Sequence, residues 1–155
     1  MRIAPENAAW LAGYIDGDGC ICLGSKPGYA HRSPLLIIDS ADRELLDHVA
    51  SLVGGTLTIK KKYQAHHRQC WSWRLLGSNN VIFVLNELLP YLRCAFKAER
   101  ARMLINEWRA CTPRNGAYSA ELAARKSEFQ QRFLAIGTGR GKRAGLPPRP
   151  ANPLT

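Results

Sequence analysis

Between Pro5 and Lys26 the spacing of apolar positions changes once, and the change separates two elements. Pro5 suits a first helical turn, where its missing N–H is no loss. Trp10, Leu11, Tyr14 and Ile15 follow at helical spacing and predict a helix from about Pro5 to Asp16. Beyond it, Ile21 and Leu23 alternate with Cys20, Cys22, Gly24 and Lys26, which is the period of a strand with one face inward. Pro27 and Gly28 break that strand. Residues 29–33 form a polar turn, and Leu35–Ile38 is a second strand, too uniformly apolar for its faces to be assigned.

Asp39 or Ser40 is placed to cap a second helix, in which Leu45, Leu46, Val49, Leu52 and Val53 make an apolar stripe that Gly54 and Gly55 end. Residues 56–62 and 70–75 alternate again. Leu57 and Ile59 face inward on the first strand, and Trp71, Trp73 and Leu75 share a face on the second. Their other faces carry Thr56, Thr58, Lys60 and Lys62, and Cys70, Ser72 and Arg74. Helices follow from Ser78 or Asn79 to Leu89, from about Ala95 to Cys111, and from Ser119 to Ile136. The order α-β-β-α-β-β-α-α-α describes an α+β domain over residues 1–137. Residues 138–155, rich in glycine, proline and basic side chains, read as a flexible tail.

Within the first helix, Ala9, Gly13 and Gly17 are four apart and so share one face, where a second backbone could approach closely. Asp18 stands just past the expected helix end between Gly17 and Gly19. Two such helices side by side would bring two Asp18 carboxylates together. That is costly unless cations neutralise them, and hard oxygen ligands of this kind suit magnesium.

Charge sharpens this picture. The net charge of +10 points to a polyanionic partner, most often nucleic acid. Residues 1–20 hold Arg2 against Glu6, Asp16 and Asp18, whereas residues 60–75 hold Lys60, Lys61, Lys62, Arg68 and Arg74 and no acid. Lys26, Thr58, Lys60, Lys62, Ser72 and Arg74 are therefore the candidate DNA contacts. No apolar run approaches the length of a membrane span, and no secretory signal is visible. Five irregularly spaced cysteines fit a reducing intracellular compartment better than a disulfide framework. Cys20, Cys22 and Cys70 with His66 and His67 match no standard zinc spacing.

Leu11–Gly19, LAGYIDGDG, resembles the signature of the LAGLIDADG homing endonucleases. The resemblance implies an αββαββα core with a DNA-facing antiparallel β-saddle, extended here by C-terminal helices. One motif per chain implies the homodimeric subgroup, with Ala9, Gly13 and Gly17 at the dimer interface. It also implies an intron-encoded, divalent-metal-dependent enzyme that cleaves both strands of a long, near-palindromic duplex DNA. Magnesium would be the natural ion, manganese a substitute, and calcium bound without cleavage. The last acid of the motif, Asp18, binds the metal in such enzymes, with Gly17 adding a backbone carbonyl, while Asp16 is mainly structural. Pro90–Lys97 resembles the region that supplies a catalytic lysine; Lys97 matches best, with Arg93 as a rival. Asp39 and Ser40 lie where a polar residue positions water, although Asp39 serves equally as a helix cap.

The alternative is a non-catalytic binder on the same scaffold, either an RNA splicing maturase or a DNA-binding regulator. Metal-dependent nicking of duplex DNA separates the two. In either case the expected compartment is organellar, bacterial or phage cytoplasm.

Overall fold

The first helix, α1, runs from Pro5 to Asp18 and passes directly into strand β1, Gly19–Gly24. No loop separates them because Gly19 lacks a side chain: a Cβ there would lie 2.6 Å from the Ile15 Cα. The helix is two residues longer than expected, so Asp18 is its last residue and does not stand beyond it. Gly17 does not break the helix, since it has no positive φ.

This computed structural model describes residues 2–137, so the segment 138–155 expected as a tail lies outside the described residues. The remaining elements are β2 (Ser33–Ser40), α2 (Arg43–Val53), β3 (Thr56–Ile59), β4 (Trp71–Leu75), α3 (Ser78–Leu88), α4 (Ala95–Glu107) and α5 (Ala120–Ala135). One-turn 3-10 helices at Leu89–Tyr91 and Arg109–Cys111 follow α3 and α4. The strands form one antiparallel sheet in the order β1-β2-β4-β3. The α+β class and the element order are those expected.

Alternation gives the sheet one apolar face. Ile21, Leu23, Leu36, Ile38, Trp73 and Leu75 are buried there in one cluster with α1, α2 and α3, and the cluster continues to Phe129 and Phe133 of α5. Each fully buried leucine or isoleucine contributes roughly 1.5–3 kcal/mol, whereas exposed ion pairs such as Arg43–Asp47 add about 1 kcal/mol at most. The helices are thus held by apolar burial. The turn between α2 and β3 uses Gly54 and Gly55 at φ 75° and 99°. It closes on Trp73, whose indole N–H donates to the Gly54 carbonyl at 2.8 Å.

Three local expectations are corrected. Asp39 is no helix cap: it lies in β2, and α2 begins after Asp42. Strand β3 stops at Ile59, which leaves Lys60 and Lys62 beyond it. Ile59 is 68% exposed and not inward, because β3 is an edge strand and the core cover ends at Leu57. No helix among the described residues is long and apolar enough to cross a membrane.

Candidate functional site

Two residues apart on a helix means about 200° around its axis, so Asp16 and Asp18 point to nearly opposite sides. That rotation divides their roles. Asp16 faces the start of α4 and accepts the backbone N–H groups of Arg93 at 2.7 Å and Cys94 at 3.1 Å. Donors of this kind, at a helix N-terminus, have no partner within the helix. Lys97, in the first turn of α4, reaches the other way. Its ammonium donates to the carbonyls of Ile15 at 2.7 Å and Asp16 at 2.8 Å in the last turn of α1, where the Ile15 carbonyl also accepts the Gly19 N–H. Lys97 is only 8% exposed, its ammonium held against the end of α1. Arg93 is exposed.

Asp18 is exposed, and its carboxylate accepts no hydrogen bond from any described residue. On the neighbouring face of α1, Ala9, Gly13 and Gly17 are also exposed. A Cβ built at Gly13 or Gly17 would meet nothing within 4 Å, so this face has no neighbour among the described residues. Trp10 stands beside it, braced by the edge of His48 at 4.9 Å between ring centroids.

Strand register assembles the second part of the site on the sheet face away from the helices. Cys20 pairs with Ile37 and Ile37 with Arg74, while Asp39 pairs with Ser72 and Ser72 with Thr58. Residues directly opposite one another share a face, so these two rows form one polar surface that begins beside the end of α1. Lys60 and Asp39 form an ion pair across it at 2.5 Å. Partial burial works against the Asp39 carboxylate, but hydrogen bonds from Lys60 and Ser72 prevail and hold it below the usual carboxyl range. The same bond raises Lys60. Arg74 leans onto the Ser72 hydroxyl at 3.5 Å, and Thr58 donates to the Ser72 carbonyl at 3.4 Å. Ser72, expected to be exposed, is 3% exposed, because Asp39 and Arg74 hydrogen-bond over it. Ser40 is engaged locally, accepting the Asp42 N–H at 3.0 Å. Lys62 is exposed, and the Lys26 ammonium sits 4.6 Å from the Tyr29 ring centroid.

The Cys20 thiol is drawn down to about 6. Its hydrogen bond with Cys22 lowers it most, burial opposes, and the charges of Arg100 and Lys97 add to the lowering. The same hydrogen bond, together with burial, pushes Cys22 up. Arg100 escaped the sequence reading altogether. It ties β1 to the end of α5 by donating to the carbonyls of Ile21 at 3.0 Å and Ile136 at 2.8 Å. Nothing in its local sequence signals partners 79 and 36 residues away.

Among the described residues no group of three or more His, Cys, Asp or Glu could hold a metal ion. The donors of one chain are the free Asp18 carboxylate and the main-chain carbonyl at Gly17. These are hard oxygens of the right kind but too few. In number they fall short of a divalent cation's coordination shell, and the α1 face beside them is left bare by the described residues.

Comparison with known proteins matches residues 5–88, more than half the chain, to the family model described as a LAGLIDADG-like domain. Among solved structures, the chain is similar to the homing endonuclease I-CvuI in complex with its target, at 20% identity and a TM-score of 0.56, covering 92% of this chain and 88% of that one. It is similar to the homing endonuclease I-TnaI at 18% identity and a TM-score of 0.57, covering 90% and 91%. It also matches the LAGLIDADG homing endonuclease I-GzeII in complex with a DNA target at 13% identity and a TM-score of 0.58, covering 84% of this chain but only 50% of that one. At these identities the likeness establishes the fold. Comparison with curated proteins gives no match.

Proposed function

The chain belongs to the LAGLIDADG family, and from that premise we propose that two copies form a site-specific endonuclease that hydrolyses both strands of a near-palindromic duplex DNA. The observation that carries this reading is Asp18. It is a carboxylate at the end of α1 with no partner among the described residues, while Asp16, two residues earlier, is fully engaged.

The copies meet through Ala9, Gly13 and Gly17. Coverage of the relatives supports this: the chain spans most of I-CvuI and I-TnaI but half of I-GzeII, as one unit of a two-unit site would. Asp18 from each copy, with the Gly17 carbonyl, would hold magnesium; manganese would substitute, and calcium would bind without supporting cleavage. When bound, such ions activate water and neutralise charge at the phosphate and the leaving oxygen. The remaining work falls to the protein. Lys97 and Asp16 fix the end of α1, so that Asp18 is already oriented. Arg93, whose backbone sits on Asp16, is available to meet phosphate charge. Lys26, Thr58, Lys60, Lys62 and Arg74 hold the duplex along the polar sheet face, with Ser72 supporting Asp39 and Arg74 from beneath. Asp39 lies where water would be positioned.

A non-catalytic binder, whether an RNA splicing maturase or a DNA-binding regulator, is the second reading. It is favoured by one observation: no single chain assembles three metal-ligating side chains among the described residues. The deciding experiment is nicking of duplex DNA in magnesium by the wild type and by Asp18→Asn. Cleavage by the wild type and none by the variant supports the nuclease. Absence of cleavage by the wild type in every divalent metal supports the binder.

A further inference from the structure

The loop joining β1 to β2, residues 25–32, carries Lys26, His31 and Arg32 and no acidic residue. Its far end is seated on α5. The Arg32 N–H donates to Gln130 Oε1 at 2.7 Å, across 98 residues of chain. The His31 ring lies 4.4 Å from the Tyr118 ring, and Gln130 Nε2 lies 3.5 Å from His31 Nδ1. Within the loop, the Tyr29 N–H donates to the Lys26 carbonyl at 3.1 Å, and the Arg32 guanidinium turns back to the Leu23 carbonyl at 3.5 Å.

The seat itself is firm. Phe129 and Phe133 anchor α5 in the core, and Arg100 bonds the end of α5 and β1 simultaneously. Loop, helix and strand therefore share one frame, and that frame begins at Gly19, next to Asp18. Tyr118 and Gln130 lie beyond the 5–88 segment that matches the family model.

We infer that Gln130 and Tyr118 are positioning residues for DNA recognition: they preset the β1–β2 loop for contact with the outer base pairs of the duplex site. The inference rests on the nuclease reading. It follows from chain geometry and from the cost of ordering. Six strand residues at ~3.4 Å each put the loop about 20 Å from Asp18, or about six base pairs along a duplex. An unseated eight-residue arm would have to be ordered on every encounter with DNA, which weakens binding. An arm already seated presents its cations in a fixed pose, and a fixed pose lets an arm distinguish bases as well as attract phosphate.

The experiment uses the full chain and a library of randomised duplexes selected in calcium. It compares the wild type with Gln130→Ala, Tyr118→Ala and Gln130→Glu, and hydrogen exchange is followed on the same preparations. The two alanine variants are expected to lose base preference about six pairs from the cut on each side. They should bind the selected duplex about tenfold more weakly and keep the central preference. Exchange should rise in residues 25–32 while α1 stays protected, which separates an unseated loop from unfolding. Gln130→Glu keeps an acceptor for the Arg32 N–H and is expected to retain most of the outer preference. Unchanged outer preference in Tyr118→Ala and Gln130→Ala, or an even loss across the whole site, overturns the inference and leaves the nuclease reading standing. A wild type that selects no duplex overturns that reading instead.

Discussion

Asp16 and Lys97 hold each other's helices by the ends. The Asp16 carboxylate takes the free N–H groups at the start of α4, and the Lys97 ammonium takes the Ile15 and Asp16 carbonyls in the last turn of α1. Each side chain sits where the helix dipole favours its charge, Asp16 at an N-terminus and Lys97 at a C-terminus. Hydrogen bonds to charged groups contribute about 1.5–3 kcal/mol. Asp16→Ala and Lys97→Met should therefore each destabilise the protein by about 2–4 kcal/mol. The double variant should cost less than the sum, because both changes release the same junction. Denaturant unfolding of all four proteins checks this, and strict additivity would show that the two caps are independent.

Asp18→Asn should abolish cleavage while leaving DNA binding intact or stronger. The amide is nearly isosteric and Asp18 has no partner to lose among the described residues, so the fold survives; two negative charges beside the duplex disappear. Cleavage and gel-shift assays on the same preparations, in magnesium and in calcium, read both halves. If Asp18→Asn cuts at the wild-type rate while Asp16→Asn is inactive, the two acids have been assigned in reverse.

Gly13→Leu should convert a dimer to a monomer and remove activity. The glycine is open in the single chain, so the leucine costs little there and a great deal where two backbones meet. Sedimentation reads the change directly. A wild type that sediments as a monomer at micromolar concentration and still cleaves both strands would rule out the paired-helix model.

Replacing Lys60 and Lys62 by alanine should flatten the dependence of log affinity on log salt by about one unit for each phosphate the protein no longer neutralises. The Asp39–Lys60 pair adds a pH effect. Asp39 is held below its ordinary value of 3.8, so its contribution to stability is fully present above that value and is lost as pH falls through the lower, folded one. Asp39→Asn should remove this acid-side slope. Acid titration of stability in the two proteins tests it.

Lys126 should give a slope of the same sign in an alkaline window, although its burial as a cation destabilises the protein where Asp39 stabilises it. It is fully buried, its ammonium 3.0 Å from the Trp108 ring centroid and 2.5 Å from the Thr112 hydroxyl. Burial draws it from 10.5 down to about 8. The unfolded chain then binds more protons between those values, so stability should rise from pH 8 to about 10.5. Lys126→Met should flatten that rise and leave stability at pH 7 unchanged or up to about 2 kcal/mol higher. Thermal unfolding across this range, followed by Trp108 fluorescence, provides the measurement.

Sequence periodicity located each α-helix and strand of the described residues, though not the two 3-10 turns, because burial against one sheet face imposes spacing that local sequence must carry. Ile21, Leu23, Trp73 and Leu75 are inward as their alternation required. The ends were less legible. Ile59 continues the alternation of Leu57, but whether an edge position is covered depends on the helix layer, which its neighbours in sequence do not encode. The division of labour between Asp16 and Asp18 was only partly visible. Helical rotation separates them, but the partner that fixes Asp16 lies 77 residues away. The Gln130 seat was invisible for the same reason, since polar contacts between distant elements leave no periodic trace.

The direct junction of α1 and β1 has a consequence for timing. With Gly19 packed so closely that a Cβ would lie 2.6 Å from the Ile15 Cα, and with β1 following α1 directly, helix and strand share no linker that could act as a hinge. A nuclease built this way would not need to swing Asp18 into place against β1 after the substrate arrives. Its slow steps would be encounters: one chain finding another, and the pair finding its sequence. The rate would then be governed by concentration, because the chemistry waits only on those two meetings.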